Sequence, residues 1–375
     1  MYREKPYPID LFFPYYNGRR IQEEIKKLFP EDGSNQWVGQ GDLVDKFERE
    51  FEKKFNLPYC LFVNSGTSAL WLAYHLIGIK KGDEVITPVL TCTATQMPLL
   101  YIGAKLVFAD VKPGNLTIDP RDVERKITKK TKAIIAVTLG GIPIDKRIFQ
   151  IAKKKKIPVI TDSCQSPGYN QGDYITYSFQ AIKHMTTCDG GMLVLKNKEE
   201  YKRAKLLRWF GIDREQKAKK KWQAWERRAM TFDILEPGFK FQPTNLDAML
   251  GLVALEDWDK IIRERNEFVK IYKKELKGVK GIDLFEDKGS SNWLFGILTD
   301  RRDELAKGLE KVGIGTNLVH LRNDIFKVFG GKRQNLPGMA SVEFRYLYLP
   351  LHNRLTKKDI FVICQTIKTI KSAKR

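Results

Sequence analysis

The alternation of short apolar runs with helical patterns is the feature that most constrains the fold of this chain. Runs of the length expected for buried strands cover residues 60–63, 84–89, 106–111, 132–139, 157–161 and 191–195. Helical patterns separate several of them; after the first run, Ala69, Leu72, Ala73 and Leu76 share one helix face. This alternation predicts an α/β fold with a mostly parallel, doubly wound sheet between two layers of helices.

The pattern changes after about residue 201, where longer helices replace the alternation. Residues 245–276 have a mostly helical pattern, short strands are predicted near 293–298 and 346–350, and helices at 302–312 and from Thr356 onward. A chain of 375 residues is too long for one compact core. We therefore predict a large α/β domain over residues 1–250 and a smaller α+β domain over residues 251–375.

Charge and cysteine content exclude several classes of protein. The chain has 66 Lys+Arg against 45 Asp+Glu, and the net charge of +21 favours anionic partners. Much of this charge lies in short clusters, such as residues 153–156 and 219–221, which are more typical of a solvated surface than of a polyanion groove. The five cysteines lack CxxC spacing, which argues against a disulfide framework or a metal site and favours a reducing compartment.

The sequence shows no pattern typical of a membrane span or a signal peptide. No stretch approaches the length of an apolar membrane span. Residues 1–6 also lack the apolar core of a signal peptide. A cytoplasmic protein without a membrane partner is the resulting expectation.

The turn after the first predicted strand is a candidate phosphate-binding site. Ser65, Gly66 and Thr67 stand where a helix begins, and backbone N–H groups, a hydroxyl and the positive end of the helix dipole suit a phosphate there. Taken alone, these residues fit an ordinary helix N-cap better. The phosphate interpretation therefore depends on what lies elsewhere at the same edge of the sheet.

Two further residues, Asp162 and Lys183, make the prediction for this edge of the sheet more specific. Asp162 follows a predicted buried strand, although alone it fits a helix cap equally well. Lys183 lies in a run without other charges, and desolvation lowers the pKa of such an amine and makes it nucleophilic toward an aldehyde. A phosphate cradle, a strand-end aspartate and a downstream lysine are together what pyridoxal phosphate (PLP) requires, since the lysine bonds the cofactor and the aspartate keeps its pyridine nitrogen protonated.

These residues stand in motifs that resemble the sugar aminotransferases of the DegT/DnrJ/EryC1/StrS type, which have the aspartate-aminotransferase fold. The matching segments keep their order along nearly the whole chain: residues 37–41 with 47–51, 64–70, 82–88, 108–111, 162–165, 178–183 with 189–191, and 349–356. The resemblance implies a PLP transferase of fold type I, with a large-domain sheet of the seven-stranded type, and PLP-dependent transaminase activity.

The resemblance also implies roles for individual residues at the cofactor. Lys183 would bond PLP and then move the proton between the donor and the cofactor, Asp162 would pair with the pyridine N–H, and Gln165 would contact the 3′ oxygen. The phosphate would be held by Ser178 and by the turn Ser65, Gly66 and Thr67.

Two cofactor positions depart from the family pattern. Cys92 stands where many members place an aromatic ring over the cofactor, which suggests weaker stacking. Lys240 replaces the asparagine that in the family reaches the phosphate of the neighbouring subunit, and a lysine can make that contact with added charge. A homodimer with shared active sites is therefore implied.

For the substrates, the resemblance implies glutamate as amino donor and a nucleotide-linked keto-sugar as acceptor. We expect a 4-keto-6-deoxy sugar, as in perosamine synthases, used for surface polysaccharide or glycan synthesis. The candidate substrate contacts are Trp37, His184, His320 and Arg322. For His320 and Arg322, a surface ion-pair network is an equally good interpretation.

Three other functions are weaker alternatives. Family members that dehydrate their substrate have histidine at the position of Lys183, and the C-terminal motifs argue against other fold-type-I enzymes such as desulfurases. The charge of +21 favours a polyanion-binding or regulatory protein that keeps the fold without catalysis. However, the sequence has no basic stripe interleaved with aromatic residues, so nucleic acid is not an expected partner.

Overall fold

The fold consists of two β-sheets with their helices, as described by a computed structural model over residues 8–34, 37–213 and 233–372. Residues 1–6, used above to exclude a signal peptide, and the lysine cluster at 219–221 lie outside these ranges. Among the described helices, none has the length and apolar character needed to cross a bilayer.

The larger sheet contains seven strands in the spatial order β1-β7-β6-β5-β4-β2-β3. Their bounds are Cys60–Val63 (β1), Glu84–Pro88 (β2), Lys105–Ala109 (β3), Thr131–Val137 (β4), Val159–Asp162 (β5), Tyr174–Ser178 (β6) and Gly191–Val194 (β7). Strands β2 to β6 pair in parallel, whereas β7 runs antiparallel to both β1 and β6. The predicted mostly parallel α/β sheet is confirmed.

Helices cover both faces of this sheet because its strands bury both sets of alternating side chains. In β1, Leu61 and Val63 pack in the cluster of the helix Gly66–Ile77, while Cys60 and Phe62 pack in the cluster of the helix Asp42–Phe55. Among the described residues, the remaining helices of this part are Gly18–Leu28, Met97–Ile102, Pro120–Lys126, Lys146–Lys155, Lys198–Leu207 and Asn245–Glu256.

The smaller sheet is antiparallel, in the order β10-β9-β8. Its strands are Asp283–Leu284 (β8), Phe295–Leu298 (β9) and Tyr346–Leu349 (β10). The helices around it are Trp258–Leu276, Arg302–Lys311, Pro337–Val342 and Lys357–Ser372. With the sheet, the first, second and fourth of these helices enclose a second apolar core, whereas the buried residues of Pro337–Val342 pack in a cluster with Phe108 of β3.

Packing partners change near Asp257, where the predicted helical stretch 245–276 divides into two helices. The first helix packs on Asp42–Phe55, and the second packs on Lys357–Ser372. At the other end of the chain, Ile9 pairs with Ile314 of the C-terminal part, whereas Leu11 packs in a cluster that contains residues of both parts. The division into residues 1–250 and 251–375 stays a prediction.

Candidate active site

The candidate site lies at the carboxyl edge of the larger sheet. Strands β5 and β6 end at Asp162 and Ser178, and the helix Gly66–Ile77 begins after β1 at the same edge. Cys92 follows β2 and caps the short 3-10 helix Thr93–Thr95. The edge therefore gathers most of the residues that the sequence selects for cofactor binding.

The turn Ser65–Thr67 allows a close approach that only glycine permits. The Ser65 hydroxyl accepts from the backbone N–H of Ser68 (3.0 Å) and caps the helix. A Cβ on Gly66 would lie 2.9 Å from the Cβ of Ser178, and one on Gly191 would lie 2.4 Å from the carbonyl carbon of Ser65. The first N–H groups of the helix, those of Gly66 and Thr67, have no intrahelical acceptor and can bind an anion.

Asp162 is a buried and firmly oriented carboxylate. The Thr95 hydroxyl donates to its Oδ2 (2.7 Å), and the backbone N–H of Cys164 donates to its Oδ1 (3.1 Å). The hydroxyl of Tyr74 donates in turn to the carbonyl of Thr95 (2.6 Å). Because the residues after Asp162 form a turn rather than a helix, the helix-cap alternative does not apply.

Lys183 presents its amine to the same space. Its side chain is partly exposed, but protein surrounds the amine, and this burial lowers the pKa of the Lys183 ammonium. Asp162, Cys164 and Cys92 act in the opposite direction on that pKa, so all three lie within electrostatic range of the amine. The Nζ atom lies 3.9 Å from the centre of the Trp293 ring, a contact that sequence reasoning missed.

Gln165 is held at both ends of its amide. Its Oε1 accepts from the backbone N–H of Gly140 (2.6 Å), and its Nε2 lies 3.1 Å from Nε2 of His320. Burial, with a smaller contribution from Lys183, lowers the pKa of His320 to about 3, so the ring is neutral at physiological pH. The Tyr346 hydroxyl donates to the His320 carbonyl (2.7 Å) and fixes that segment beside the site.

Two predicted substrate contacts are not supported by the structure. His184 is fully buried, its Nε2 bonds the carbonyl of Ser291 (2.9 Å), and its ring packs edge-on against Trp258. This burial contradicts its prediction as a substrate contact; the residue follows Lys183 in sequence but turns into the core. Arg322 is 2% exposed and forms ion pairs with the carboxylates of Asp324 and Glu343. This arrangement matches the alternative interpretation of an ion-pair network, except that the network is buried rather than on the surface.

The remaining predicted residues, Trp37 and Lys240, are both exposed. Trp37 is 67% exposed and its indole N–H donates to the carbonyl of Gln40 (3.0 Å). Lys240 is exposed, with its Nζ 4.5 Å from the Trp209 ring centre. The Asn64 side chain donates to the Lys240 carbonyl (3.2 Å), so the backbone of this segment lies directly before Ser65 in the same chain.

Cys92 is half-buried, and burial raises the pKa of its thiol, which is therefore neutral. Burial also raises the pKa of the Cys164 thiol well above its usual range. Both sulfurs consequently act as small packing groups beside Lys183 and Asp162 rather than as thiolates.

The residues present fit PLP. The helix start with its two glycine-dependent close approaches suits a phosphate, Asp162 is a buried acceptor for a ring N–H, and Lys183 supplies an amine of lowered pKa. When bound, PLP supplies an electron sink for electrons released at a substrate carbon. Fold and site together define the class as a PLP-dependent enzyme.

Comparison with known proteins identifies the family. The model of the DegT/DnrJ/EryC1/StrS aminotransferase family matches residues 19–368, and the chain belongs to this family. GDP-perosamine synthase from Escherichia coli is 30% identical over 377 residues, which cover 97% of this chain and 100% of that protein. The spore coat polysaccharide biosynthesis protein SpsC from Bacillus subtilis is 30% identical over 386 residues, covering 96% and 97%.

Solved structures agree with this assignment. A putative sugar aminotransferase from Streptococcus pneumoniae in its PMP form superposes with a TM-score of 0.88 at 27% identity, covering 97% of this chain and 99% of that one. Its PLP form superposes with a TM-score of 0.87 at 26% identity, covering 98% and 99%. The protein is a PLP-dependent sugar aminotransferase.

Proposed function

We propose that this enzyme moves an amino group from glutamate to a nucleotide-linked 4-keto-6-deoxy sugar for polysaccharide or glycan synthesis. Similarity to a GDP-perosamine synthase and to a spore coat polysaccharide protein supports the sugar class. The positive net charge favours a diphosphate ligand through electrostatic steering. The free state of all five cysteines fits a reducing compartment, and we propose the cytoplasm.

The observation that carries the chemistry is the position of the Lys183 amine beside Asp162 and near the start of the helix Gly66–Ile77. In our proposal Lys183 binds the cofactor and then carries a proton between the substrate carbon and the cofactor. Asp162, held by Thr95, keeps the pyridine nitrogen protonated, and Gln165 contacts the ring oxygen. His320 is neutral and is the candidate hydrogen-bonding residue for the substrate.

We also propose that the active unit is a homodimer in which Lys240 reaches the phosphate of the neighbouring site. An exposed aromatic surface near Lys240 supports self-association. Tyr101 is 78% exposed and stacks on Trp71, which contacts both Phe239 and Phe241. These two phenylalanine rings flank Lys240 in sequence and are parallel at 4.6 Å.

The test is a panel of nucleotide-linked keto-sugars assayed for glutamate-dependent amination. GDP-, UDP- and dTDP-linked 4-keto-6-deoxy sugars are compared with 3-keto isomers, and the product is identified by mass and by the position of the new amine. We expect turnover with a 4-keto-6-deoxy substrate and none in Lys183→Ala, because that variant lacks the amine that binds the cofactor in our proposal. Turnover by Lys183→Ala would contradict the assignment of Lys183. Exclusive amination of 3-keto sugars would contradict the substrate class.

A protein that only binds polyanions would behave differently in the same preparations. It would retain a heparin-type polymer at physiological salt but form no borohydride-reducible bond to PLP. Covalent loading at Lys183 therefore separates the two functions before any sugar substrate is identified.

A further inference from the structure

The Lys183 amine lies on an aromatic ring from a distant part of the sequence. Its Nζ is 3.9 Å from the centre of the Trp293 ring, within the range of a strong cation–π contact. Trp293 is 1% exposed, and its indole N–H donates to the carbonyl of Ile182 (3.0 Å), the residue before Lys183. One side chain thus contacts both the amine of the lysine and the backbone that carries it.

Several contacts fix the orientation of this ring. Phe12 stacks on Trp293 with a centroid distance of 5.6 Å and an interplanar angle of 23°. The buried guanidinium of Arg265 donates to the carbonyl of Trp293 (3.2 Å), and the backbone N–H of Leu294 donates to the carbonyl of Gly140 (3.0 Å). The ring is therefore a preorganised surface rather than a mobile side chain.

Other groups also act on the amine. Five groups in the described part of the chain lie within electrostatic range of it: Cys92 in the turn after β2, Asp162 at the end of β5, Cys164 in the turn that follows, His320, and the adjacent residue His184. Both thiols and both imidazoles are neutral at physiological pH, because burial raises the pKa of the former and lowers the pKa of the latter. Trp293 adds an electron-rich face to these groups and favours the ammonium form.

We propose that Trp293 is a positioning residue that holds Lys183 in its ammonium form and so sets the pH at which the free amine becomes available. The inference rests on the proposed role of Lys183 in binding PLP covalently. During turnover the same contact gives the released amine a fixed place from which to return its proton.

The experiment measures covalent attachment of PLP to apoenzyme as a function of pH, trapped with borohydride and located at Lys183 by peptide mass analysis. Attachment requires the neutral amine, so its rate rises with pH around the pKa of Lys183. In Trp293→Leu the amine stays buried but loses the aromatic face. We expect the midpoint to move down by about one pH unit, since a cation–π contact of ordinary strength has that effect on a pKa.

Two variants separate this effect from a general loss of packing. Trp293→Phe keeps an aromatic face and should shift the midpoint less than Trp293→Leu. Trp258→Leu removes a nearby indole whose ring contacts His184 instead of Lys183, and should leave the midpoint in place. Slower attachment at every pH with an unchanged midpoint in Trp293→Leu would overturn the proposal and leave Trp293 a structural role only.

A second measurement avoids any change at position 293. An ammonium group against an indole alters its fluorescence, so the emission of wild-type apoenzyme should change with pH at the Lys183 midpoint, and this change should be missing in Lys183→Met. Identical pH profiles for the two proteins would overturn the proposal. If Lys183→Met still bonds PLP, the proposed function of Lys183 fails instead, so the two failures are distinguishable.

Discussion

At the residue scale, the fold fixes the position and orientation of the Asp162 carboxylate through hydrogen bonds within the protein. One of its oxygens accepts from the Thr95 hydroxyl and the other from the backbone N–H of Cys164, which together hold the carboxylate at the end of β5. An asparagine of the same shape can keep hydrogen bonds at this position, because the hydroxyl can rotate to accept. The negative charge and its orientation can therefore be tested separately.

Asp162→Asn should lower kcat by at least about a hundredfold while the melting temperature changes little, because a neutral amide cannot keep the pyridine nitrogen protonated. Thr95→Val serves as the matched control, since it removes one hydrogen bond and keeps the charge. Its loss of activity should be much smaller. A near wild-type rate for Asp162→Asn would show that the charge has no part in the chemistry.

Sequence reasoning at this scale depends on local signals. Lys183 is recognisable because it lies in a run without other charges, and Asp162 because it ends an apolar strand. Trp293 has no such signal: its contact with Lys183 depends on how a segment far along the chain packs on Gly140. His184 shows the reverse error, since adjacency to Lys183 in sequence says nothing about the direction of its side chain.

At the scale of the element, the helix Gly66–Ile77 depends on its first residue. Gly66→Ala would place a Cβ 2.9 Å from the Cβ of Ser178 and 3.0 Å from Sγ of Cys164, so the helix start has to move away from β6. We expect at least about a tenfold weaker affinity for PLP, because a small shift of the helix start spoils the hydrogen-bond geometry between its N–H groups and the phosphate. Equilibrium dialysis of apoenzyme against PLP measures this directly.

Gly18 provides the matched control. It also begins a helix, Gly18–Leu28, but a Cβ there meets nothing within 4 Å. Gly18→Ala should therefore leave PLP affinity unchanged and should not destabilise the protein. Equal PLP affinity in both alanine variants would contradict the close-approach argument.

Strands, like site residues, are predictable from sequence only where the signal is local. β1 has the predicted bounds, and the other predicted strands of the larger sheet differ from theirs by one or two residues at an end. β6 is not among the predicted strands because Tyr174–Ser178 contains a single aliphatic residue beside two tyrosines, a threonine and a serine, and because no helix separates it from β5. Its parallel pairing with β5 depends on tertiary structure and cannot be read from periodicity or composition.

At the scale of the whole molecule, buried histidines make stability depend on pH. Burial lowers the pKa of His184 well below its usual range, that of His320 to about 3 and that of His352 to about 4. The unfolded chain then binds more protons, so this contribution to stability is complete above about pH 6.5 and is lost as the pH falls toward the folded-state values. His320 and His352 should each cost about 2 kcal/mol of unfolding free energy at pH 5, and His184 acts in the same direction.

Urea unfolding at pH 7 and pH 5 tests this dependence. In His184→Gln the amide can still donate to the Ser291 carbonyl, but the group no longer titrates. The difference in unfolding free energy between the two pH values should therefore be smaller in His184→Gln than in wild type. If the difference is the same in both proteins, His184 does not contribute to acid destabilisation.

The oligomer is tested by complementation between two inactive variants. If Lys240 acts across subunits, mixing Lys183→Ala with Lys240→Ala gives mixed dimers with one site that carries both defects and one that carries neither. Activity should then reappear on subunit exchange. The opposite result would be no recovery of activity despite demonstrated subunit exchange, and it would mean that Lys240 serves the site of its own chain. The hydrogen bond from Asn64 to the Lys240 carbonyl shows that the backbone at Lys240 lies beside that site.

The contact between Lys183 and Trp293 also sets an order of events during synthesis. All seven strands of the larger sheet leave the ribosome before Trp293 does, and the bonds that fasten residues 291–294 to Gly140 and Gly141 can form only afterwards. In a nascent chain the lysine pocket therefore lacks one wall until Trp293 has emerged. Capture of the vitamin-derived cofactor in the cell should accordingly follow synthesis of the segment that carries Trp293.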